Sequence, residues 1–282
     1  MSKLLPLLVI CVACSPASDA QGNAAASPAR TYATQVVAPS PDYGAMLNRR
    51  VVAGESGLRR KSTKPLPPNA KAVGDTWIAR LKTRGALLGY GLGGKSPDGP
   101  VSIIDTGLTK REFDAWTKAN RWPVPGHISW SFAPEMKLPR VSAAAKDGIR
   151  IWPASSARTG LQNMALFSGR VEMRNGCFYV SEFGRPASKL AWLHAEVGLD
   201  VDNSGYYIFR NRVSGETMAR LGEDMNWGGP ASADIDPATR RALHDACGPG
   251  ELYVVGSPEA TERFLTQYPH LRNPKPPPPP PP

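Results

Sequence analysis

Apolar positions fall into three zones along this 282-residue chain. Leu4 to Ala13 is a nearly unbroken apolar run. Residues 21–71 hold few large apolar side chains and keep no period of 2 or 3.6. From residue 72 on, short apolar patterns recur between Gly, Asn and Pro. The clearest helix opens at Thr109: Thr109-Lys-Arg-Glu112 reads as a capping box, with Leu108 and Phe113 as a hydrophobic staple. Phe113 and Trp116 then share a face, and the helix is expected to end near Asn120. Asp236-Pro237 predicts a second helix start, and Ser257-Pro258-Glu259 a third, with Phe264, Leu265 and Tyr268 inward and Pro269 as the stop.

Strand patterns cover Ala86–Leu92, Val101–Asp105, His127–Phe132, Ile149–Trp152, Ala165–Met173, Phe178–Ser181, Leu190–His194, Tyr206–Arg212 and Leu252–Val255. Arg174-Asn-Gly-Cys177 has the Asn-Gly centre of a tight hairpin. The expected class is α+β: a small N-terminal α/β module over 72–140, then a β-rich module over 141–272 with two C-terminal helices. All seven tryptophans and six of the eight tyrosines lie in 72–272, so the cores belong there.

The flanks have another character. Residues 1–20 carry one cation, Lys3, then the apolar run and small residues, the layout of an export signal too short to span a bilayer. Residues 21–71 cannot bury enough surface to offset chain entropy and read as a disordered basic linker. Residues 273–282 form a proline-rich tail, a stiff polyproline II segment expected to stay solvated.

Charge sharpens this division. The net charge is +10, but residues 21–160 carry twenty-one Lys and Arg against nine Asp and Glu, whereas 161–282 carry twelve against fourteen. Arg49, Arg50, Arg59, Arg60, Lys61, Lys64 and Lys71 crowd the linker. An anionic membrane surface or a cell-wall polymer is the expected partner of such a segment. Nucleic acid is not, because an exported chain rarely meets it and the segment lacks interleaved aromatics. No protein partner can be named.

Without the signal, Cys177 and Cys247 remain, besides Cys14. In an oxidising compartment the simplest outcome is one disulfide; a metal pair or reactive thiol is the alternative, but no Cys-x-x-Cys is present. Gly89-Tyr-Gly-Leu-Gly-Gly94-Lys95-Ser96 matches a phosphate-loop pattern, yet Pro97 and Pro100 forbid the helix whose N-terminus would hold the phosphate, leaving a glycine-rich loop between strands. Asp200, Asp202 and Ser204 match the first half of a calcium loop, but Asn211 stands where a bidentate Glu is needed, and a hairpin turn is the simpler reading. The only acid–base candidates are His194, Glu196, Glu223 and Asp224, with no spacing that links them. No cofactor is expected.

Two resemblances follow from these residues. Val12-Ala13-Cys14 is similar to the end of a bacterial lipoprotein signal, in which the cysteine is acylated and becomes the mature N-terminus. Cys11 departs from the Leu usual in that family, and Ser18-Asp-Ala20 is a rival cut that would release a protein from Gln21. Residues 169–180, 223–230 and Cys247-Gly248 resemble small β domains of exported bacterial proteins, a likeness that transfers no activity. The expected role is therefore a non-catalytic interaction or structural one on the periplasmic side of a bacterial envelope, lipid-anchored at Cys14, or soluble if the rival cut is used. Trp122 and Trp227 are candidate contact residues, or else core. The alternatives are an envelope hydrolase using His194, Glu196 and Glu223 or Asp224, and a calcium-stabilised module.

Overall fold

The computed structural model describes residues 31–47, 59–60, 65–96, 99–155, 158, 166–182, 185–228, 235 and 237–272. Residues 1–30 with Cys14, where the export signal is expected, much of the remaining expected linker, Asp236 and residues 273–282 lie outside the described residues. What is described is mixed α+β with a β-rich body. Among the described residues, no helix is long and apolar enough to cross a membrane.

The N-terminal module is built on one sheet. Its strands are β1 (Arg59–Arg60), β2 (Leu87–Ser96), β3 (Gly99–Thr106) and β4 (Ile128–Phe132), in the order β1-β4-β3-β2. β2 and β3 form a hairpin, while β3 and β4 are parallel, so helix α3 (Lys110–Ala119) serves as their crossover. The predicted capping box is present: Glu112 N donates to Thr109 Oγ1 at 3.2 Å and Thr109 N to Glu112 Oε2 at 2.8 Å. α3 buries Phe113 against Trp130 on β4, ring centres 4.7 Å apart. Trp77 joins them from α2 (Ala70–Thr83). α2 was not read from the sequence, although Val73, Trp77, Ile78 and Leu81 recur at helical spacing; Gly74 interrupts the segment, and its N-cap Asn69 makes no side-chain capping bond. Its apolar stripe of Val73, Trp77, Ile78 and Leu81 is held by packing rather than by propensity.

The glycine-rich stretch differs from expectation. Residues through Ser96 continue strand β2 instead of forming a loop, with register shifts after Leu87 and Gly93. Extended backbone where a phosphate loop needs a helix start removes that reading altogether.

The second module has two sheets. The larger has the order β12-β7-β6-β5-β11-β13, from β5 (Leu166–Arg174), β6 (Cys177–Glu182), β7 (Lys189–Leu193), β11 (Met225–Gly228), β12 (Leu252–Val255) and β13 (Glu259–Ala260). The smaller joins β8 (Val197–Val201), β9 (Tyr207–Asn211) and β10 (Thr217–Arg220) as β10-β9-β8. One core draws on both sheets, with Val171, Met173, Phe178, Val180 and Leu193 from the first and Leu199, Phe209 and Ala219 from the second. β7 is buried on both faces. Ala191 and Leu193 enter this core, while Leu190 and Trp192 pack against Leu243 of α5 (Pro237–Cys247). That period-2 division is what a central strand between two layers requires. The short helix α4 (Ala143–Lys146) is capped by Ser142, whose side chain accepts from Ala145 N at 3.2 Å.

The hairpin at Asn175-Gly176 forms as read, with φ of 47° and 75°, the pair of positive values that selects these residues. Two other expectations change. Ile149–Trp152 is not a strand: Arg150 N reaches Gly176 O and Leu193 N reaches Pro153 O, so the segment runs beside the sheet tied at points, without a ladder. The third helix, α6 (Thr261–Gln267), begins later than Ser257 because Glu259 and Ala260 pair with β11, and it has no fully buried residue; Tyr268 stays 40% exposed.

The linker reading changes most. Residues 33–43 are strapped onto the β-rich body. Gln35 N donates to Met173 O at 2.7 Å, and Gln35 O accepts from Met173 N at 2.9 Å. Its amide Nε2 donates to Leu221 O and Tyr207 O, and its Oε1 accepts Tyr207 N. Gly222, at φ 82°, sits so close under the strap that a Cβ there would meet Val36 O at 2.7 Å. The strap ends in α1 (Tyr43–Leu47), whose Tyr43 is 2% exposed. Hydrogen bonding along the backbone and one amide side chain does this work, so the apolar pattern of residues 21–71 could not announce it.

Cys177 and Cys247 are joined, Cα atoms 5.7 Å apart, tying β6 to the end of α5 across 70 positions. The chain-entropy relation assigns such a closure about 4 kcal/mol. Reduction is expected to lower unfolding free energy by roughly that amount, with the far-UV spectrum retained and a mass gain of two hydrogens. Urea midpoints with and without reductant check this, and an unchanged midpoint would show that α5 is held by packing alone.

Candidate functional site

A concavity lies where the two modules meet. Arg84 and Gly85 close the C-terminus of α2, and Gly107, Leu108 and Thr109 form the turn into α3. Glu135, Met136 and Arg140 come from the connection to the second module, and Arg158 and Arg212 from that module itself. Together with Ala86 and Glu112 they line a cleft of about 530 Å3.

Backbone carbonyls hold several of these arginines in place. Arg212 donates through Nε to Leu138 O at 3.0 Å and through Nη1 to Ala195 O at 2.6 Å. Arg140 Nη2 donates to Ser155 O at 3.1 Å. Arg158, whose side chain is 10% exposed, donates to Pro134 O and faces Glu196 Oε1 at 3.5 Å. Carbonyls orient the Arg140 and Arg212 guanidinium groups without cancelling their charge, whereas Glu196 offsets part of the charge of Arg158 and acts on Arg212. Burial, then Arg140 and Arg158, pull the Arg212 guanidinium below its usual range, with Glu196 opposing. Two carboxylates share the lining: Glu112 accepts from Thr109 N, and Glu135 from Arg111 Nη2 at 3.3 Å. The arrangement suits an oxyanion, since forked guanidinium donors match the paired oxygens of a carboxylate or phosphate.

The acid–base candidates from sequence are not gathered here or anywhere else. His194 is buried at the end of β7, its pKa lowered by burial to about 4, so its imidazole is neutral at ordinary pH. Gly256 places it near Gly228: a Cβ built on Gly256 would come within 3.3 Å of His194 Cε1 and 2.1 Å of Gly228 O. Glu223 and Asp224 precede the other end of the same strand β11, a distance on the order of 15 Å at the usual rise per residue. Glu196 turns to Arg158 and Asp224 to Arg170 Nε at 2.6 Å.

Glu223 belongs to the strap. Its carboxylate accepts from Tyr43 Oη, from Ser40 Oγ at 2.7 Å and from Arg220 N. Burial nevertheless raises its pKa, and that of Tyr43 with it.

The calcium-loop residues are committed elsewhere. Asp200 accepts from Arg210 Nη1 at 2.9 Å. Asp202 accepts from the backbone of Ser204 and Tyr206 and from Arg220 Nε at 2.7 Å, shaping a turn through Gly205. Ser204 lends its backbone N–H rather than an oxygen. Among the described residues, no three His, Cys, Asp or Glu stand together as a metal-holding group. Trp227 is core, 1% exposed, and Trp122 is half-buried beneath Arg80.

Arg84, Arg140, Arg158 and Arg212 were not singled out from sequence. The excess of cations before residue 160 was visible, but it pointed to the linker; nothing in the spacing of these four announces their convergence. No protein-family model matches this chain, and neither a curated protein nor a solved structure matches it.

The His194 environment has a pH consequence. Unfolding returns the ring to a pKa near 6.5, so between that value and about 4 the unfolded chain binds the proton and the folded one does not. Stability therefore falls as pH drops through this window, by up to about 3 kcal/mol at a scale of ~1.4 kcal/mol per unit. Ring-proton NMR of His194 should show a midpoint near 4, and His194→Gln should flatten the acid limb of the urea midpoint. A ring titrating near 6.5 would refute the assignment.

Proposed function

We propose that this is an exported envelope protein, anchored to a membrane through Cys14, that holds an acidic envelope component without performing chemistry on it. One observation carries the reading: Arg84, Arg140, Arg158 and Arg212 converge on a single cleft at the module junction, while the candidate acid–base groups stand apart. Such a cleft concentrates positive potential between low-dielectric walls and raises the local concentration of anions. The Cys177–Cys247 bond supports residence in an oxidising compartment. A basic linker beside the membrane fits the same setting, because anionic lipid or wall polymer attracts it from one side while the cleft holds its ligand from the other.

The strap bears on how the body is held. Residues 33–43 are fixed to the β-rich module, so an anchor at Cys14 would connect to the body through the strap rather than through the whole of residues 21–71. Tension on the anchor is then delivered to Gln35, Tyr43 and Glu223, inside the larger core.

Expression of the full chain in a Gram-negative host, followed by fractionation and intact mass, tests the anchor. The wild-type protein should be in membranes with an acylated N-terminal Cys14, and Cys14→Ser should move it to the soluble fraction; a wild-type protein starting at Gln21 would discard the anchor. For the cleft, Arg84→Glu with Arg140→Glu changes two exposed side chains. Loss of even one charged hydrogen bond of about 1.5–3 kcal/mol weakens binding about tenfold or more. Binding of an acidic polymer should drop by at least that factor while the urea midpoint holds; equal binding would overturn the cleft's role.

A further inference from the structure

The cleft does not end at its arginines. Arg84, exposed at its rim, stands with Cζ 5.1 Å over the ring of Trp116. Trp116 meets Trp122 edge-on with centres 5.2 Å apart, and Arg80 lies 3.9 Å over Trp122. A continuous stack of guanidinium and indole therefore leads out of the cleft along the C-terminal ends of α2 and α3. Trp116, Trp122 and Arg80 are each half-buried, so part of every member stays accessible.

We propose that the ligand of this cleft is an acidic saccharide, its oxyanion held by Arg140, Arg158 and Arg212 and its sugar rings laid along the stack that starts at Arg84. The inference rests on the anion-binding reading above and names the chemistry of the ligand. A guanidinium held over an indole still carries N–H groups that can donate to hydroxyl and ring oxygens. The accessible indole edges offer apolar surface to the C–H face of a sugar ring.

The carboxylates in the lining choose between anions. Glu112 and Glu135 are acceptors only, so they suit hydroxyl donors and repel a backbone bearing a charge at every unit. A polyphosphate or a nucleic acid strand would meet both. An isolated acid on a hydroxyl-rich body is the chemistry that satisfies arginine, glutamate and indole together.

The test uses the folded full-length chain, with tryptophan fluorescence and calorimetry as readouts. The probes are glucuronosyl-xylobiose, which carries a single carboxylate, its methyl ester, polyphosphate, a single-stranded oligonucleotide and phosphatidylglycerol vesicles. Glucuronosyl-xylobiose should bind and perturb tryptophan emission, with every other probe at least about tenfold weaker, the scale of one lost charged contact. Arg84→Ala should weaken glucuronosyl-xylobiose about tenfold and leave residual polyphosphate binding nearly unchanged, a split that simple charge removal does not produce. Methyl ester binding as tightly as the free acid would overturn the role of the oxyanion. Polyphosphate, oligonucleotide or vesicles binding as tightly as glucuronosyl-xylobiose would overturn the saccharide, and sensitivity of that binding to Arg140→Glu would still uphold the anion site. Failure of every probe to bind would overturn both.

Discussion

A buried carboxylate organises the larger module. Glu223 is 3% exposed, and an unsatisfied carboxylate at that depth costs several kcal/mol. The fold answers by bringing three donors to it: Tyr43, Ser40 and the backbone of Arg220. Two of these come from some 180 positions away, so satisfying one side chain obliges the N-terminal strap to lie on the body. The obligation spreads outward. Arg220 donates to Pro39 O on the strap and to Asp202, and Asp202 shapes its own turn. Strap, β10–β11 turn and the Asp202 turn are thus one polar unit. Each member is fully used, the condition under which a buried polar network fixes geometry instead of weakening it.

This network marks the boundary of what the chain discloses on its own. Thr109 with Glu112 and Asn175 with Gly176 are local rules acting over a few residues, and they were readable with the right result, as was the strand at Leu190–His194, though not the division of its two faces between cores. So was the Cys177–Cys247 pair, because the count left no other partner. The strap was not: most of its bonds run from backbone to backbone, through Gln35 and to Glu223, and its buried aromatic, Tyr43, stands alone without a periodic pattern around it. α2 was missed for a related reason, since Trp77 and Leu81 are buried by a sheet whose strands lie further along the chain. β8, β10 and β11 are short, and their pattern is obscured by the turn residues between them.

The candidate site shows the same division more sharply. His194, Glu196, Glu223 and Asp224 attracted notice because their side chains carry acid–base chemistry, yet each is absorbed by a local need: burial, an ion pair with Arg158, the strap, an ion pair with Arg170. Residue type announces capacity, and only the fold assigns employment. The arginines are the converse. Arg84 and Arg212 are 128 positions apart in the chain, in different modules, and meet only because the connection through Glu135 to Arg140 folds one module's helix ends toward the other's β9 terminus.

That convergence is itself an argument about function. Burying a guanidinium and then setting others beside it raises the energy of the folded state: burial first, and Arg140 and Arg158 after it, lower the proton affinity of Arg212. Elsewhere the same module disposes of its arginines economically: Arg170, Arg210, Arg220 and Arg263 each face a carboxylate within 3.3 Å. At the junction, Arg140 and Arg212 are held by carbonyls instead, and the carboxylate near them belongs to Arg158 at a longer 3.5 Å. Arg150, held by the carbonyls of Asn175 and Ala246, shows that such ties also serve structure; what sets Arg140 and Arg212 apart is that they line a cleft, where their charge is open to something that arrives from outside. The Glu112 and Glu135 carboxylates at its rim then limit what can arrive, admitting an anion whose surroundings can donate hydrogen bonds and turning away one whose surroundings are charged throughout.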